Sequence, residues 1–225
     1  MPEGIQSQVA LLVGGNQSLN LEDPKYSTSE NFMSIAWSEI YASGLGYDKY
    51  LARYGKENQQ QRWEAKRSTL SLSPAQKTLL EGFTRKMHVL CMAGAWCGDC
   101  VDQCPMFAIL EEASPNIEVR FVDRDDCDAE FKEWVMVCGG NRVPVCVFLN
   151  EDFQPTGMYG DRTVAKYRNM VENLTGAACS TGISLGTEAQ MDSLTTSVLA
   201  EWIEQFERNQ WIMRTSTRLR EKHGD

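Results

Sequence analysis

The stretch MHVLCMAGAWCGDC, residues 87–100, decides how this chain folds. Its first seven residues form a short apolar run that glycine interrupts at position 94, which predicts a buried β-strand. From Cys97 to about Glu112 the pattern predicts an α-helix. A strand followed directly by a helix is the repeating unit of α/β sheets. The sequence therefore places the two cysteines of the motif Cys97-Gly98-Asp99-Cys100 at a strand-to-helix junction.

That position gives Cys97 its expected chemistry. Unpaired backbone N–H groups and the helix dipole stabilise an anion at a helix N-terminus, and a cysteine there has its pKa lowered from about 8.5 to between about 3.5 and 7.5. Cys100, three residues later, can reach the first sulfur. We therefore predict that Cys97 is the attacking thiolate and Cys100 the resolving thiol of a disulfide exchange. Trp96 before the motif and Val143-Pro144 at the head of a later strand strengthen this prediction.

The residues after the motif alternate between strand and helix patterns. They predict an order β-α-β-α-β-β-α, which gives an α/β fold with a mixed central sheet flanked by helices. We assign this domain to residues 86–175. Further strands are predicted at 117–122, at 143–149 and through Met158 and Tyr159, and further helices at 128–137 and 163–174.

Three segments surround this domain. Residues 1–28, rich in Gly, Ser, Asn and Gln, predict a flexible arm, and residues 29–85 predict a helical extension that includes a capping-box start at Ser27–Glu30 and a helix beginning at Ser73-Pro74. Residues 176–225 predict a linker and one long helix. Its apolar stripe is expected to pack on the N-terminal helices or on a second copy of the chain, as a homodimer contact. The stripe consists of Met191, Leu194, Val198, Trp202 and Phe206.

Composition excludes several classes of protein. The formal net charge of −9 over 225 residues argues against nucleic acid and anionic membranes as partners. No run approaches the roughly 20 apolar residues of a membrane span, and the N-terminus lacks the basic start of a signal peptide. The eight cysteines are scattered through apolar segments, which favours reduced thiols. We therefore expect a cytoplasmic protein.

The motif and its surroundings resemble the thioredoxin superfamily over roughly residues 86–175. Trp96–Cys100 matches the active-site motif of that superfamily, and Pro105 stands where its first active-site helix carries a kinking proline. Val143-Pro144 matches the segment whose proline is cis, and Tyr159-Gly160 matches the glycine after the final strand. The resemblance implies a thioredoxin-like fold carrying added N-terminal and C-terminal helices.

The resemblance also implies how a substrate is bound. A substrate backbone would lie against Val143, with cis Pro144 packed near the two sulfurs and Trp96 beside them. The expected partners are a disulfide-containing protein or small-thiol substrate and a reductase or thiol that recycles Cys97 and Cys100. No cofactor and no metal are expected.

Two departures from the family pattern bear on mechanism. Thioredoxins usually carry a buried aspartate six residues before the first cysteine, where this chain has Cys91, and they have Gly-Pro between the cysteines, where this chain has Gly98-Asp99. A carboxylate about 6 Å from Cys97 would cost its thiolate about 1.4 kcal/mol at an effective dielectric constant of about 40. We expect Asp99 to modulate Cys97 in this way. Cys104, one helical turn beyond Cys100, is a packing residue or a third sulfur of the site.

Two alternatives remain open at this stage. In the first, the thioredoxin-like unit is a binding or adaptor module and its redox chemistry is incidental. In the second, four cysteines hold zinc or an iron-sulfur cluster, although no second C-x-x-C motif occurs and the two histidines stand alone. The four would be Cys97, Cys100, Cys104 and Cys91 or a distant cysteine.

Overall fold

The computed structural model describes residues 35–175 and 188–224. At its centre is a four-stranded sheet of β1 (Met87–Ala93), β2 (Ile117–Asp123), β3 (Val145–Leu149) and β4 (Pro155–Gly160). The strand order is β2-β1-β3-β4, with β2 parallel to β1 and with β3 and β4 antiparallel to their neighbours. The predicted α/β class with a mixed sheet is confirmed.

In the order of the chain, helices precede the sheet, connect its strands and follow it. Before the sheet lie α1 (Trp37–Ser43), α2 (Tyr47–Tyr54), α3 (Glu57–Thr69) and α4 (Pro74–Glu81). Between and after the strands lie α5 (Gly98–Ala113), α6 (Ala129–Trp134) and α7 (Val164–Thr175). The C-terminal helices are α8 (Glu188–Thr215) and α9 (Thr217–His223).

Strand β1 occupies the middle of the sheet because its side chains are apolar in both directions. Every residue of β1 except His88 is buried, as expected for a strand covered on both faces. The strand ends at Ala93, and the chain turns through Gly94 into α5, whose N-cap is Cys97. Pro105 lies inside α5. The junction predicted from the sequence is therefore present, with both cysteines at the first turn of the helix.

The N-terminal helices pack against this core. Helix α4 begins at the predicted Ser73-Pro74, with Ser73 as its N-cap, and ends at Glu81, before Gly82. The sequence analysis missed α3, whose residues are mostly polar. Its one large apolar side chain, Trp63, is fully buried and donates from Nε1 to the carbonyl of Ala95 at 3.0 Å. The predicted helix start at Ser27–Glu30 lies outside the described residues.

The outer edge of strand β2 is paired with the segment between α1 and α2. Leu45 donates its backbone N–H to the carbonyl of Phe121 at 2.9 Å, and Phe121 returns a hydrogen bond to Leu45 at 2.7 Å. The hydroxyl of Tyr41 donates to the carbonyl of Glu118 at 3.0 Å. The N-terminal helices are thus tied to the sheet through the backbone as well as through side chains.

The C-terminal stripe packs on the chain's own α5 and β4. Trp202 and Phe206 are fully buried there, with the Trp202 ring 4.5 Å from the Phe107 ring of α5 in an edge-to-face contact. The predicted single helix is divided at Ser216, which caps α9. The side chain of Met191 lies outside the described part, and the homodimer contact remains a prediction. Neither α8 nor another described helix combines the length and apolarity needed to cross a bilayer.

Candidate active site

The two cysteines of the motif differ in access to solvent. Cys97 is half-buried at the N-cap of α5, whereas Cys100 is fully buried one turn into the helix. The Cys97 thiol donates to the carbonyl of Val143 at 3.6 Å. The Cys100 sulfur accepts the backbone N–H of Gly94 at 3.4 Å. An incoming substrate can therefore meet Cys97, and Cys100 lies behind it.

The two thiols titrate as a pair. The hydrogen bond with Cys100 and burial raise the pKa of Cys97, although backbone N–H groups of Cys100 and Asp99 at the helix start lower it. Burial also raises the pKa of Cys100, but hydrogen bonds from Cys104, Cys97 and the Gly94 amide outweigh it and lower that pKa overall. The pKa of Cys97 is thus raised and that of Cys100 lowered, so Cys100 is the more acidic thiol of the resting pair. The sequence predicted a lowered pKa for Cys97; the helix start does lower it, but Cys100 and burial outweigh that effect.

A groove of about 500 Å³ opens beside Cys97. Trp96, Val143, Arg124, Arg142 and Met170 are among its lining residues. The structure therefore brings together four of the residues predicted from the sequence, Trp96, Cys97, Asp99 and Val143. The Val143–Pro144 peptide bond is cis, and Pro144 is buried behind the groove rather than lining it.

Trp96 is the exposed apolar wall of this groove. Its side chain is 45% exposed, and the guanidinium of Arg124 lies over the ring at 4.4 Å from the centroid. The ring also covers Gly94, where a Cβ atom would lie 2.8 Å from the indole Cε2. The absence of a side chain at Gly94 therefore permits the position of the indole. A large apolar surface beside a reactive sulfur is suited to contact with a substrate.

The electrostatic surroundings of Asp99 differ from the expectation. Its carboxylate forms ion pairs with Arg162 at 2.6 Å and with Lys166 at 2.8 Å. The expected opposition to a Cys97 thiolate assumed an unbalanced charge, and these two cations offset it. Gly98 is exposed, and a Cβ added there would meet no neighbouring atom within 4 Å.

Behind Cys100 the sulfurs form a continuous buried group. Cys104 affects the pKa of Cys100, Cys91 that of Cys104, and Cys91 that of Cys146, and all of these side chains are fully buried. Cys91 and Cys146 are directly opposite each other on β1 and β3. We call Cys91, Cys104 and Cys146 the buried thiol group. All three are free thiols, and the described residues contain no set of three or more His, Cys, Asp or Glu arranged to hold a metal ion.

The sequence analysis missed the residue that braces the first turn of α5. Gln103 is fully buried, and its amide donates to the carbonyls of Asp99 at 3.2 Å and Asp161 at 3.1 Å. Its Oε1 accepts the indole N–H of Trp202 at 2.9 Å. A glutamine within the apolar half of a helix is a signal that could have pointed to it, because a buried amide must find partners. Arg162 and Lys166 are more than 60 residues beyond Asp99 in the sequence. Their ion pairs with Asp99 could therefore be found only from the fold.

Comparisons with known proteins agree with this architecture. A family model described as thioredoxin matches residues 44–175. A crystal structure of a protein of unknown function from Pseudomonas aeruginosa has a TM-score of 0.58 at 19% identity, over 75% of this chain and 97% of that one. A crystal structure of an HIV epitope-scaffold also has a TM-score of 0.58, at 17% identity over 81% of this chain and 100% of the scaffold. At these identities the two structures show a shared fold. No curated protein matches the sequence.

Proposed function

The chain belongs to the thioredoxin family, and we propose that it is a thiol-disulfide oxidoreductase in which Cys97 attacks a substrate disulfide and Cys100 resolves the intermediate. The observation that carries this proposal is the difference in access between two thiols that are three residues apart and affect each other's pKa. Cys97 is open to the groove, while Cys100 is fully buried behind it.

The exchange proceeds in two displacements. The shared proton moves to Cys100, and the Cys97 thiolate attacks one sulfur of the substrate disulfide, which forms a mixed disulfide and releases the other sulfur as a thiolate. Cys100 then gives its proton to the released substrate thiolate and attacks the Cys97 sulfur, which breaks the mixed disulfide. The substrate leaves with both sulfurs reduced, and the protein retains a Cys97–Cys100 disulfide. A reductase or a small thiol returns the two electrons.

Each flanking residue has a proposed part in this cycle. The N–H groups of Cys100 and Asp99 stabilise the charge on Cys97 when it attacks. Trp96 gives the substrate an apolar contact, and the carbonyl of Val143 lies next to the attacking sulfur, where an extended substrate backbone would run. Pro144 supports this segment from behind. We propose that the exchange runs in the reducing direction, in the cytoplasm, on disulfides of proteins or small thiols.

A redox titration against glutathione tests the proposal. Aliquots equilibrated at stepped ratios of reduced to oxidised glutathione are alkylated, and the alkylated cysteines are located by mass spectrometry. We expect one two-electron transition that forms a Cys97–Cys100 disulfide and is lost in Cys97→Ser. Its midpoint gives the direction of the reaction.

The matched control is Cys138→Ser, because Cys138 is an exposed free thiol outside the groove. That variant should titrate as the wild type does. If no Cys97–Cys100 disulfide forms at any ratio, the proposal is wrong and the adaptor hypothesis takes its place.

A further inference from the structure

The buried thiol group lies against the sulfur that must act in the second displacement. Cys104 is one helical turn beyond Cys100 on α5, a spacing at which the Cβ atoms of two helical residues are about 5 to 6 Å apart. Cys91 of β1 is close enough to affect the pKa of Cys104. All three side chains have no exposed surface. Water therefore has no access to the inner side of Cys100.

The second displacement requires a thiolate at this dry position. An ionised group transferred out of water without partners is strongly unfavourable, so Cys100 needs hydrogen-bond donors when it loses its proton. The outer donor is the Gly94 backbone N–H at 3.4 Å. On the inner side the sulfur of Cys100 meets Cys104. Where the family resemblance leads one to expect a buried carboxylate, this chain has Cys91. Burial raises the pKa of Cys91, but Cys104 and Cys146 lower it further, to about 7, so Cys91 is only about half ionised at neutral pH, where an aspartate would be fully ionised.

We propose that Cys104 is a positioning residue for the resolving step: its S–H donates to the Cys100 thiolate and holds that sulfur toward Cys97. This inference rests on the proposed function, because it assigns a role within the same cycle. No electron passes through Cys104, and its proton stays on its own sulfur. Only the Cys100 proton leaves, and only the bond between Cys97 and the substrate sulfur breaks.

The single thiol proton of Cys104 and its raised pKa fit this role. A thiol has one proton, so Cys104 can donate to Cys100 or to Cys91 but not to both. The Cys91 sulfur lies 3.8 Å from the carbonyl of Met92, which gives the Cys91 thiol an acceptor of its own. Burial and its hydrogen bonds with Cys100 and Cys91 raise the pKa of Cys104, so that it stays a thiol and a donor. When Cys100 becomes charged, rotation of one S–H bond gives the stronger, charge-assisted hydrogen bond.

The test separates the two displacements in one kinetic trace. Reduced protein is mixed with a small symmetric disulfide that releases a coloured thiol, and each displacement releases one equivalent. For Cys104→Val, which retains an apolar side chain without a donor, we expect a first phase that is no slower than in the wild type. The second phase should slow about tenfold, with its pH midpoint raised by about one unit, as expected for the loss of one hydrogen bond to a charged group. Cys104→Ser, whose hydroxyl can donate, should restore both values toward those of the wild type.

Cys146→Val is the matched control, because Cys146 is equally buried but lies on β3, opposite Cys91. It should leave both phases within about twofold of the wild type. Thermal unfolding of each variant identifies any that fail to fold, and Cys104→Ala serves if Cys104→Val does. A donor-less variant that resolves at the wild-type rate and pH midpoint overturns the inference, as does Cys104→Ser that is as slow as Cys104→Val. If the wild type releases no second equivalent, the proposed function itself has failed.

Discussion

The indole N–H of Trp202 in α8 donates to Oε1 of Gln103 in α5 at 2.9 Å, and both side chains are fully buried. The amide of the same Gln103 donates to the carbonyls of Asp99 and Asp161, which border the groove. The C-terminal helix is therefore connected by two consecutive hydrogen bonds to the turn that carries Cys97 and Cys100. It is part of the support of the candidate active site.

Replacement of Trp202 by phenylalanine should destabilise the protein. The variant retains an aromatic ring against Phe107 but leaves the buried Oε1 of Gln103 without its donor, which costs about 1 to 3 kcal/mol. Urea denaturation of Trp202→Phe should show this loss in the free energy of unfolding. The control is Trp211→Phe on the same helix, where the indole is 46% exposed and donates to a carboxylate oxygen of the partly exposed Glu207. Its change should stay within about 0.5 kcal/mol, and equal effects of the two variants would contradict the prediction.

The sequence predicted those elements whose apolar residues repeat with a clear period. Strand β1 and the start of α5 follow directly from an apolar run, a glycine and a helix pattern. Helix α3 was missed because a single tryptophan, Trp63, makes its apolar contact while its other residues are mainly polar. The break at Ser216 was missed because the apolar pattern continues to Leu219, which is buried on α9. A periodic apolar pattern reveals a segment that buries one regular face. It does not reveal a helix that buries a single tryptophan, or a helix break within a continuing apolar pattern.

The candidate site was predictable only where its residues adjoin in sequence. The Cys97–Cys100 motif could be placed from its own neighbours, and Val143-Pro144 could be added through the family resemblance. The ion pairs of Asp99 with Arg162 and Lys166 join residues more than 60 positions apart. Charge balance of this kind depends on which helix packs beside the motif, and a single sequence does not give that.

The cations around Asp99 predict the direction of change in the pKa of the cysteine pair. In Asp99→Asn, Arg162 and Lys166 no longer face a carboxylate, so their charge favours a thiolate. The apparent pKa of the pair should fall by roughly 0.5 to 1 unit. Thiolate absorbance in the ultraviolet, titrated with pH, measures this value.

Lys166→Gln should shift the apparent pKa of the cysteine pair in the opposite direction. It removes one of the two cations and should therefore raise that pKa. A neutral control is Asp48→Asn, since Asp48 is an exposed residue paired with Arg67. Identical titrations for the wild type, Asp99→Asn and Lys166→Gln would show that these charges do not reach the sulfurs.

A methyl group at position 94 should displace the indole of Trp96. The Cβ of Gly94→Ala would lie within 3.0 Å of three atoms of that ring, closer than carbon atoms normally approach. The ring is 45% exposed and free to move outward, so the cost in stability should stay below about 1 kcal/mol. Steady-state kinetics with a protein disulfide should show a higher KM.

Gly98→Ala is the comparison for that experiment, because a Cβ at Gly98 meets nothing within 4 Å. Its KM should match the wild-type value. If Gly94→Ala also retains the wild-type KM, contact with the Trp96 ring does not contribute to substrate binding.

Acid should release α9 from the rest of the chain. Hydrogen bonds from Lys222 and Arg218, at 2.7 and 2.8 Å, hold the pKa of Asp152 well below its usual range. An aspartate in the unfolded segment takes up its proton near pH 4. Because the folded value is the lower one, the stabilisation is present above about pH 4 and is lost as the pH falls further.

Hydrogen exchange of residues 217–223, corrected for the intrinsic pH dependence, should show protection that declines below about pH 4. In Asp152→Asn the protection should already be reduced at neutral pH and should change little on acidification. Protection that is independent of pH in the wild type would assign the docking of α9 to its buried Leu219 alone.

The pairing of Leu45 with Phe121 also governs how molecules of this protein meet each other. Strand β2 is the outermost strand on its side of the sheet, and an open edge of this kind recruits strands from other chains. Here Leu45 takes both backbone groups of Phe121, Tyr41 takes the Glu118 carbonyl, and the Glu111 carboxylate accepts the Val119 N–H at 3.1 Å. The N-terminal helices thus prevent the edge of β2 from pairing with strands of other chains. A fragment without these helices, which keeps only the sheet and the helices α5 to α9, would be prone to aggregate.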